Sequence, residues 1–574
     1  MDKIPDESLI KLTRQIEFWQ SPEHNLSSDD LISLTKRLVH AATWRYRLNN
    51  SDDKDAATAA TLVPKVRYGR TELQMPIVTC GGMRLQQTWM PDNVPLLSPS
   101  RSRVLAGDSQ KNLKDVIGCC IKVGLNHFET ARMYGTSELQ FIDALVSLME
   151  EGVIKREDFI FQTKVVPMAT RKDFEKTFKL SWDTVKKLGY VDLFAFHVVS
   201  KDDQVEWVLD DDPDGIYAFI KDCQSQGKIK HIGFSTHGTA ENIMKLIESN
   251  KFSFVNIHSH YFGSYHAEGT PDSKGGHGNR ACVKRALELD MGVFQISPFD
   301  KGGMLYRPSA AVAKAVGPEL TPISFAALHS WKSLGMHTVS VGFARVSDLD
   351  EVLEAVSLYK RKETDALLQQ AESNLEKLAV DKLGKDWYEK GMLNIPSCYR
   401  ESTTGVAIGH ILWLHNVCTA FGMCEFARER YVNLETVKWN DKKSFEDNIK
   451  TMDAGNSGRS YQHNIDLTEA LKDHYDMELV KSKLSEAHEW LKKGTSELSD
   501  AERKEKGWDE AYSLSVWDDF PGNPSTTTVT KVLTQCISGG HFGINNKKDR
   551  RRSLERAQSL RDSFRNLSMD SQLT

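Results

Sequence analysis

Residues 191–236, VDLFAFHVVSKDDQVEWVLDDDPDGIYAFIKDCQSQGKIKHIGFST, decide the fold. VDLFAFH (191–197) and HIGFST (231–236) are short apolar runs bounded by polar segments, the pattern of buried strands. Between them, residues 215–226 carry the spacing of an amphipathic helix. Two strands joined by a helix-length crossover must pair in parallel.

The same unit repeats on both sides. Upstream strands are PIVTCGG (76–82), NHFETA (126–131) and DFIFQTK (158–164). Downstream strands are FVNIHSH (254–260), GVFQISP (292–298) and TVSVGF (338–343). Helical patterns fill the gaps at 111–123, 137–150, 173–188, 240–249, 281–290 and 322–334, and one more follows at 348–359. Strict alternation of eight strands with helices predicts a closed (β/α)8 TIM barrel. An open doubly wound sheet is the alternative. It would carry a G-x-G-x-x-G turn after its first strand, and CGGMRLQQ (80–87) is not one.

The barrel is expected over 66–360, preceded by a helical N-terminal extension (1–65) and followed by a mainly helical C-terminal extension (361–540) and a basic, disordered tail (541–574). The extension at the start shows apolar stripes at Leu9, Ile10, Leu12, Ile16 and Trp19 and at Leu31, Leu34, Leu38 and Ala42, with a linker at 51–60. The tail is basic and Ser-rich, with Ser553 as a candidate phosphorylation site, and reads as solvated chain.

A net charge of −5 argues against a whole-chain nucleic-acid footprint. No apolar run is long enough to cross a membrane, and the N-terminus has neither a signal core nor a transit-peptide composition. Nine cysteines without a regular framework point to a reducing compartment, so the expected location is the cytoplasm. Protein partners, if any, are expected at the terminal extensions.

Functional groups of such barrels sit at the carboxyl ends of the strands. There the second strand supplies Glu129 and then Tyr134 and Gly135, the third ends at Lys164, and the fourth ends at His197. An acid, a phenol, an amine and an imidazole at adjacent strand ends form a chemical unit. A carbonyl receiving hydride needs a proton on its oxygen. A phenol gives one up more readily beside an ammonium that stabilises its anion. A carboxylate orients the ammonium, and an imidazole polarises the carbonyl or relays a proton. Taken singly, each residue reads more simply as structural.

These residues carry a resemblance. VRYGRTELQMPIVTCGGMR (66–84), GLNHFETARMYGTSE (124–138), KKLGYVDLFAFH (186–197) and GKIKHIGFST (227–236) resemble segments of the aldo/keto reductase family, and the likeness runs over about residues 67–357. It implies NAD(P)H-dependent interconversion of an aldehyde or ketone with an alcohol, with Tyr134, Lys164, His197 and Glu129 as the catalytic set. The family has Asp where this chain has Glu129, so the contact to Lys164 must be rearranged by about one C–C bond, and displacements near ~1 Å matter for rate.

The resemblance also implies a dinucleotide held without a Rossmann motif. Ser235, Thr236 and Asn256 fall at the positions that hold the nicotinamide carboxamide. Ser297, Pro298, Lys301 and Gly302 fall at the pyrophosphate, where a Gly-rich turn offers backbone N–H groups. Gly342 and Arg345 fall at the adenosine 2′-phosphate. NADPH is the expected cofactor and NADH the alternative, because Asp348 stands where it would accept from a ribose hydroxyl and Val352 replaces an adenine-binding Asn. His258 and His260 share a strand face with Asn256. With His197 or His266 they would make a metal site, but lining of the substrate pocket with Tyr261 and Trp89 is the preferred reading, and no metal is expected. Residues 395–431 resemble the C-terminal extension of a bacterial subgroup whose closely spaced cysteines suit an iron–sulfur cluster. Here only Cys398 lies in that region, Ser402 and Thr403 replace a Cys-Pro pair, and Cys418 and Cys424 fall within the later helix, so no cluster is expected.

Two functions follow. One is a carbonyl reductase. The other is a dinucleotide-binding redox-sensing module with little turnover, a use that potassium-channel β subunits of the same family exemplify.

Overall fold

The computed structural model describes residues 63–86, 105, 107–263, 279–299, 304–306, 308–317, 319–344, 346–396, 404–451 and 458–492. The N-terminal stripes and linker, Trp89, His266, Lys301, Gly302, Arg345, Cys398, Ser402, Thr403 and the basic tail lie outside the described residues.

The described residues open with a hairpin of β1 (Lys65–Arg67) and β2 (Gln74–Pro76), paired antiparallel, which the sequence reading did not anticipate. Eight strands follow: β3 (Val78–Gly81), β4 (His127–Glu129), β5 (Ile160–Val165), β6 (Val191–Phe196), β7 (Ile229–Ser235), β8 (Phe254–Ile257), β9 (Gly292–Gln295) and β10 (Thr338–Val341). Each pairs in parallel with its successor, and β10 closes on β3, with Val339 opposite Val78 and Val341 opposite Cys80. The fold is a closed (β/α)8 barrel, as the alternation of apolar runs implies.

Between the strands run α1 (Asp108–Lys122), α2 (Ser137–Glu150), α3 (Arg171–Val185), α4 (Asp202–Leu209), α5 (Ile216–Ser225), α6 (Ala240–Glu248), α7 (Asn279–Glu288), α8 (Ala310–Val316), α9 (Pro322–Leu328) and α10 (Leu349–Tyr359). Local chemistry starts several of them. Thr170 caps α3 by accepting from Asp173 N–H, Thr239 caps α6 through Asn242 N–H, and Ser309 caps α8 through Val312 N–H. Thr321 and Ser324 form a reciprocal box ahead of α9, with Pro322 in its first turn. Helices α4 and α8 are short additions for which the sequence reading placed no element; a stretch of two turns has too little periodicity to stand out.

The hairpin seals the end of the barrel where the strands start. Tyr68 is fully buried with Met75, Ile160, Leu193, Ala195, Phe254 and Phe294, a cluster separate from the apolar layer outside the sheet. Arg70 N–H donates to Asp290 O at 2.6 Å just before β9. Gly292, the first residue of β9, lies under the Tyr68 ring, and a methyl group there would come within 2.6 Å of it.

After the barrel come α11 (Thr364–Leu383), α12 (Lys385–Lys390), α13 (Ile408–Phe421), α14 (Cys424–Glu435), α15 (Phe445–Thr451) and α16 (Met477–Lys492). Their apolar faces join the same core as the barrel's helical layer: Leu368, Leu375, Leu412, Leu414, Tyr431 and Leu484 belong to one continuous cluster with Val312, Phe325 and Val356. Cys418 and Cys424, read as lying in one helix, belong to two. Gly422, at φ 66°, ends α13 in a left-handed cap, and the turn brings the two cysteines into a disulfide. Among the described residues no helix is long and apolar enough to cross a membrane.

Two glycines separate space from propensity. Gly292→Ala forces a methyl group into the Tyr68 ring and is expected to lower unfolding free energy by about 1–3 kcal/mol. Gly118→Ala, in α1 with open space around the added carbon, is expected to raise it by about 0.5–1 kcal/mol. Urea denaturation followed by far-UV circular dichroism reads both.

Candidate active site

At the open end, hydrogen bonding continues past the strands and fixes the residues that follow them. Thr130 N–H donates to Gln162 O, Arg132 N–H to Lys164 O, and His197 N–H to Val165 O, all at 2.8–2.9 Å. The turn after β4 is closed by Tyr134 N–H to Ala131 O and by Ser137 N–H to Tyr134 O, each 3.0 Å, with Gly135 at φ 55°. That turn brings Tyr134 back over the barrel.

The four residues expected to act together meet there, all largely buried. The Lys164 ammonium is ion-paired with the Glu129 carboxylate and donates to Thr130 O at 2.8 Å. Its nitrogen sits 4.7 Å from the centroid of the Tyr134 ring. Tyr134 and His197 meet edge to face, with ring centroids 5.3 Å apart and planes at 79°.

The added methylene of Glu129 has its own accommodation. Gly81, at the end of β3, leaves room that a side chain would take from Ser340 Oγ, and Ser340 Oγ lies 3.5 Å from Glu129 Oε2. Neither residue stands out in the sequence, because a glycine or a serine in a strand signals nothing by itself.

Burial governs the electrostatics. It raises the Tyr134 phenol well above its ordinary value, with the Arg84 guanidinium pulling the other way. It lowers Lys164 well below the usual ammonium range, against the attraction of Glu129. Beneath this pair, burial and then the charge of Lys164 push His127 down to about 3, so its ring is neutral and bonds Thr79 Oγ1 at 2.7 Å. Arg84 is a residue that sequence reasoning passed over. It occupies the turn after β3, closed by Leu85 N–H to Gly82 O at 3.1 Å, and its side-chain stem lies beside Gly342.

A second buried charge pair braces the turn. Arg132 Nη1 contacts Glu138 Oε2 at 3.1 Å, while Thr163 and Ser181 donate to Glu138 Oε1 at 2.6 and 2.5 Å. Burial raises the Glu138 carboxyl, and Arg132 is the largest opposing influence.

The residues expected at the nicotinamide are also close together. Ser235 Oγ accepts from Val198 N–H at 2.9 Å, and Thr236 Oγ1 donates to Val199 O at 2.8 Å. Val198, directly after His197, is held at φ 57°, a conformation that costs a β-branched residue about 1–3 kcal/mol. Ser235 and Thr236 thus lock the turn that aims His197. Asn256 is level with Ser235 in the sheet and fully buried, and neither atom of its amide group makes a hydrogen bond. A buried amide left unmatched is costly, and the carboxamide of a nicotinamide offers the complementary donor and acceptor. The residues present therefore fit a nicotinamide dinucleotide.

Beyond Asn256, His258 Nδ1 and His260 Nε2 are 3.0 Å apart, and Gln295 Nε2 lies 3.1 Å from His260 Nδ1. The ring of His237 lies 4.6 Å from that of His258. Among the described residues, no group of three or more His, Cys, Asp or Glu is arranged to hold a metal ion. Ser297, at φ 54°, and Pro298 mark the exit of β9. At the exit of β10, Asp348 accepts from Ala344 N–H at 2.8 Å.

Residues 81–302 match the profile described as the aldo/keto reductase family. Among curated proteins, Rhazimal reductase 2 of Alstonia scholaris is 27% identical over 198 residues, 33% of this chain and 54% of the relative. Protein REDOX 2 of Catharanthus roseus is 30% identical over 145 residues, 23% of this chain and 42% of the relative. The chain thus spans about half the length of the curated relatives it matches. Among solved structures, the holo form of an aldo-keto reductase from Bacillus halodurans has a TM-score of 0.41 at 15% identity, covering 54% of this chain and 96% of that one. The Bombyx mori aldo-keto reductase in complex with NADP has a TM-score of 0.39 at 16% identity, covering 54% and 92%. The aldo/keto reductase family profile is thus matched across the strand ends that carry Glu129, Tyr134, Lys164 and His197.

Proposed function

We propose that this chain is an NAD(P)H-dependent carbonyl reductase. The observation that carries the reading is the meeting of Glu129, Lys164, Tyr134 and His197 at one barrel mouth, with the Lys164 nitrogen 4.7 Å from the Tyr134 ring centroid. The neighbouring unmatched amide of Asn256 supports it.

A bound nicotinamide would supply the hydride. Asn256, Ser235 and Thr236 would hold its carboxamide, Ser297, Pro298, Lys301 and Gly302 its pyrophosphate, and Gly342 and Arg345 its adenosine end. NADPH is favoured over NADH. Asp348, which stood as an acceptor for a ribose hydroxyl, already accepts from the Ala344 backbone.

The protein's own groups handle the proton. Burial keeps the Tyr134 hydroxyl protonated, which suits a general acid that releases its proton only to a developing alkoxide. As the phenolate forms, Lys164 and Arg84 supply positive charge beside it. Glu129 holds the Lys164 ammonium in place and offsets part of its burial cost. His197, fixed by the Val198 turn, donates toward the same oxygen and sets the angle of the carbonyl.

Reduction of a panel of aldehydes and ketones by NADPH, followed at 340 nm, tests the proposal. Tyr134→Phe is expected to lower kcat by about 10²–10⁴-fold with dinucleotide binding intact. Dinucleotide binding by the wild-type protein without oxidation across the panel would instead support the sensing module.

The pH profile follows from the two shifts. Tyr134 is raised and stays protonated through neutral and mildly alkaline pH, so it contributes no basic limb there. Lys164 is lowered and loses its proton first as pH rises. Reduction is therefore expected to fall on the alkaline side with loss of one proton. Lys164→Met is expected to be slow at every pH and to lack that limb. An unchanged limb in Lys164→Met would assign it to another group.

Glu129→Asp withdraws the carboxylate by about one C–C bond from a site built around the longer chain, and is expected to lower kcat by about 10²-fold. A variant with wild-type kcat would show that the Lys164 contact is not position-sensitive.

A further inference from the structure

The exit of β8 is pinned from two directions. From the barrel, Asn279 Nδ2 donates to His258 O at 2.6 Å, and Gln295 Nε2 donates to Ser259 O at 2.7 Å. From the C-terminal helices, Trp413 Nε1 in α13 donates to Phe262 O at 2.6 Å, and the Tyr261 hydroxyl donates to Glu372 O in α11 at 3.0 Å. Glu372 is itself fixed, its carboxylate accepting from Ser333 and meeting His329 Nδ1, each at 2.6 Å.

The same helices reach the start of α8. Phe421, the last residue of α13, stacks edge-on against Phe262 at 5.0 Å. Its carbonyl accepts from Ser309 Oγ, and Met423 Sδ accepts from Ser309 N–H at 3.2 Å. The disulfide between Cys418 and Cys424 closes the turn that carries Phe421 and Met423. Trp413, Phe421 and Ser309 are all buried.

We propose that Trp413 and the Phe421–Met423 turn are positioning elements of the dinucleotide site, holding the β8 exit and the start of α8 in the conformation that receives the cofactor. The inference rests on the reductase reading above and extends it to residues outside the barrel. The physical reason is preorganisation. A loop end fixed before binding spends no free energy on being ordered by the ligand. When a pin is lost, the competent conformer becomes a fraction of the population, and apparent affinity falls by that fraction.

Isothermal titration of the full chain with NADPH tests this. Trp413→Phe removes the donor to Phe262 O and is expected to weaken NADPH binding by about tenfold, the outcome when the competent conformer drops to about a tenth. kcat at saturating NADPH is expected to stay within about twofold, because no group that touches the reacting atoms has moved. Trp387→Phe is the control. Trp387 Nε1 bonds Asn416 Oδ1 in the same α13 at 2.8 Å but touches neither the β8 exit nor the start of α8, so its affinity is expected to match the wild type. Should Trp413→Phe fail to fold, Ser309→Asp serves at the start of α8. It keeps an acceptor for Val312 N–H and loses the donor to Phe421 O, and it is expected to weaken NADPH binding in the same direction.

Wild-type affinity in the folded variants would overturn the inference and leave the reductase reading intact. Equal weakening by Trp387→Phe would also overturn it, since the helices would then act only through general stability. A wild-type protein that binds no NADPH would end both.

Discussion

An ammonium and a carboxylate removed from water inside the barrel are the constraint around which the rest of the site is built. The Lys164–Glu129 pair sits where neither ion has solvent to fall back on. Such a pair is favourable only when its geometry and remaining hydrogen bonds are good. Thr130 O takes one ammonium proton, Ser340 stands beside the carboxylate, and Gly81 leaves the space that lets it do so. The ladder bonds that extend β4 and β5 beyond their ends keep the two side chains in register. Tyr134 and His197 then find their places relative to a fixed charge.

The site holds strain as well as charge. Val198 adopts a left-handed backbone that its branched side chain disfavours, and the neighbouring strand forces the matter through Ser235 and Thr236. Each of these two residues stood in the sequence as a partner for a ligand. In the structure each also serves the backbone beside His197, so a substitution at Ser235 touches both the proposed nicotinamide pocket and the aim of the imidazole. That coupling was invisible in one dimension, because Val198 and Ser235 belong to different strand ends.

The barrel was legible because its signal is repetitive. Eight apolar runs such as VDLFAFH and HIGFST, each followed by a helix-length spacer, admit few architectures. The four residues of the mouth were legible because strand ends are where such barrels place polar groups. What escaped had no periodicity to betray it. The β1–β2 hairpin is made of three-residue strands, and Tyr68 reads as an ordinary aromatic until the Phe254 and Phe294 rings close around it. Ser340 and Gly81 matter only through Glu129. Arg84 needed the turn geometry to come near Tyr134. Helix α11 went unread because its buried positions, Leu368, Ala371, Leu375 and Ala379, include two alanines that dilute the stripe.

One continuous apolar cluster runs from the barrel's helical layer through α11, α13, α14 and α16. The appendage is therefore welded on rather than tethered. Cutting the chain after α10 would strip cover from the greasy flanks of α8 and α9 and present water with Val312 and Phe325. A trimmed barrel would be prone to clump, and the catalytic and appended parts are expected to melt together, as a single cooperative body.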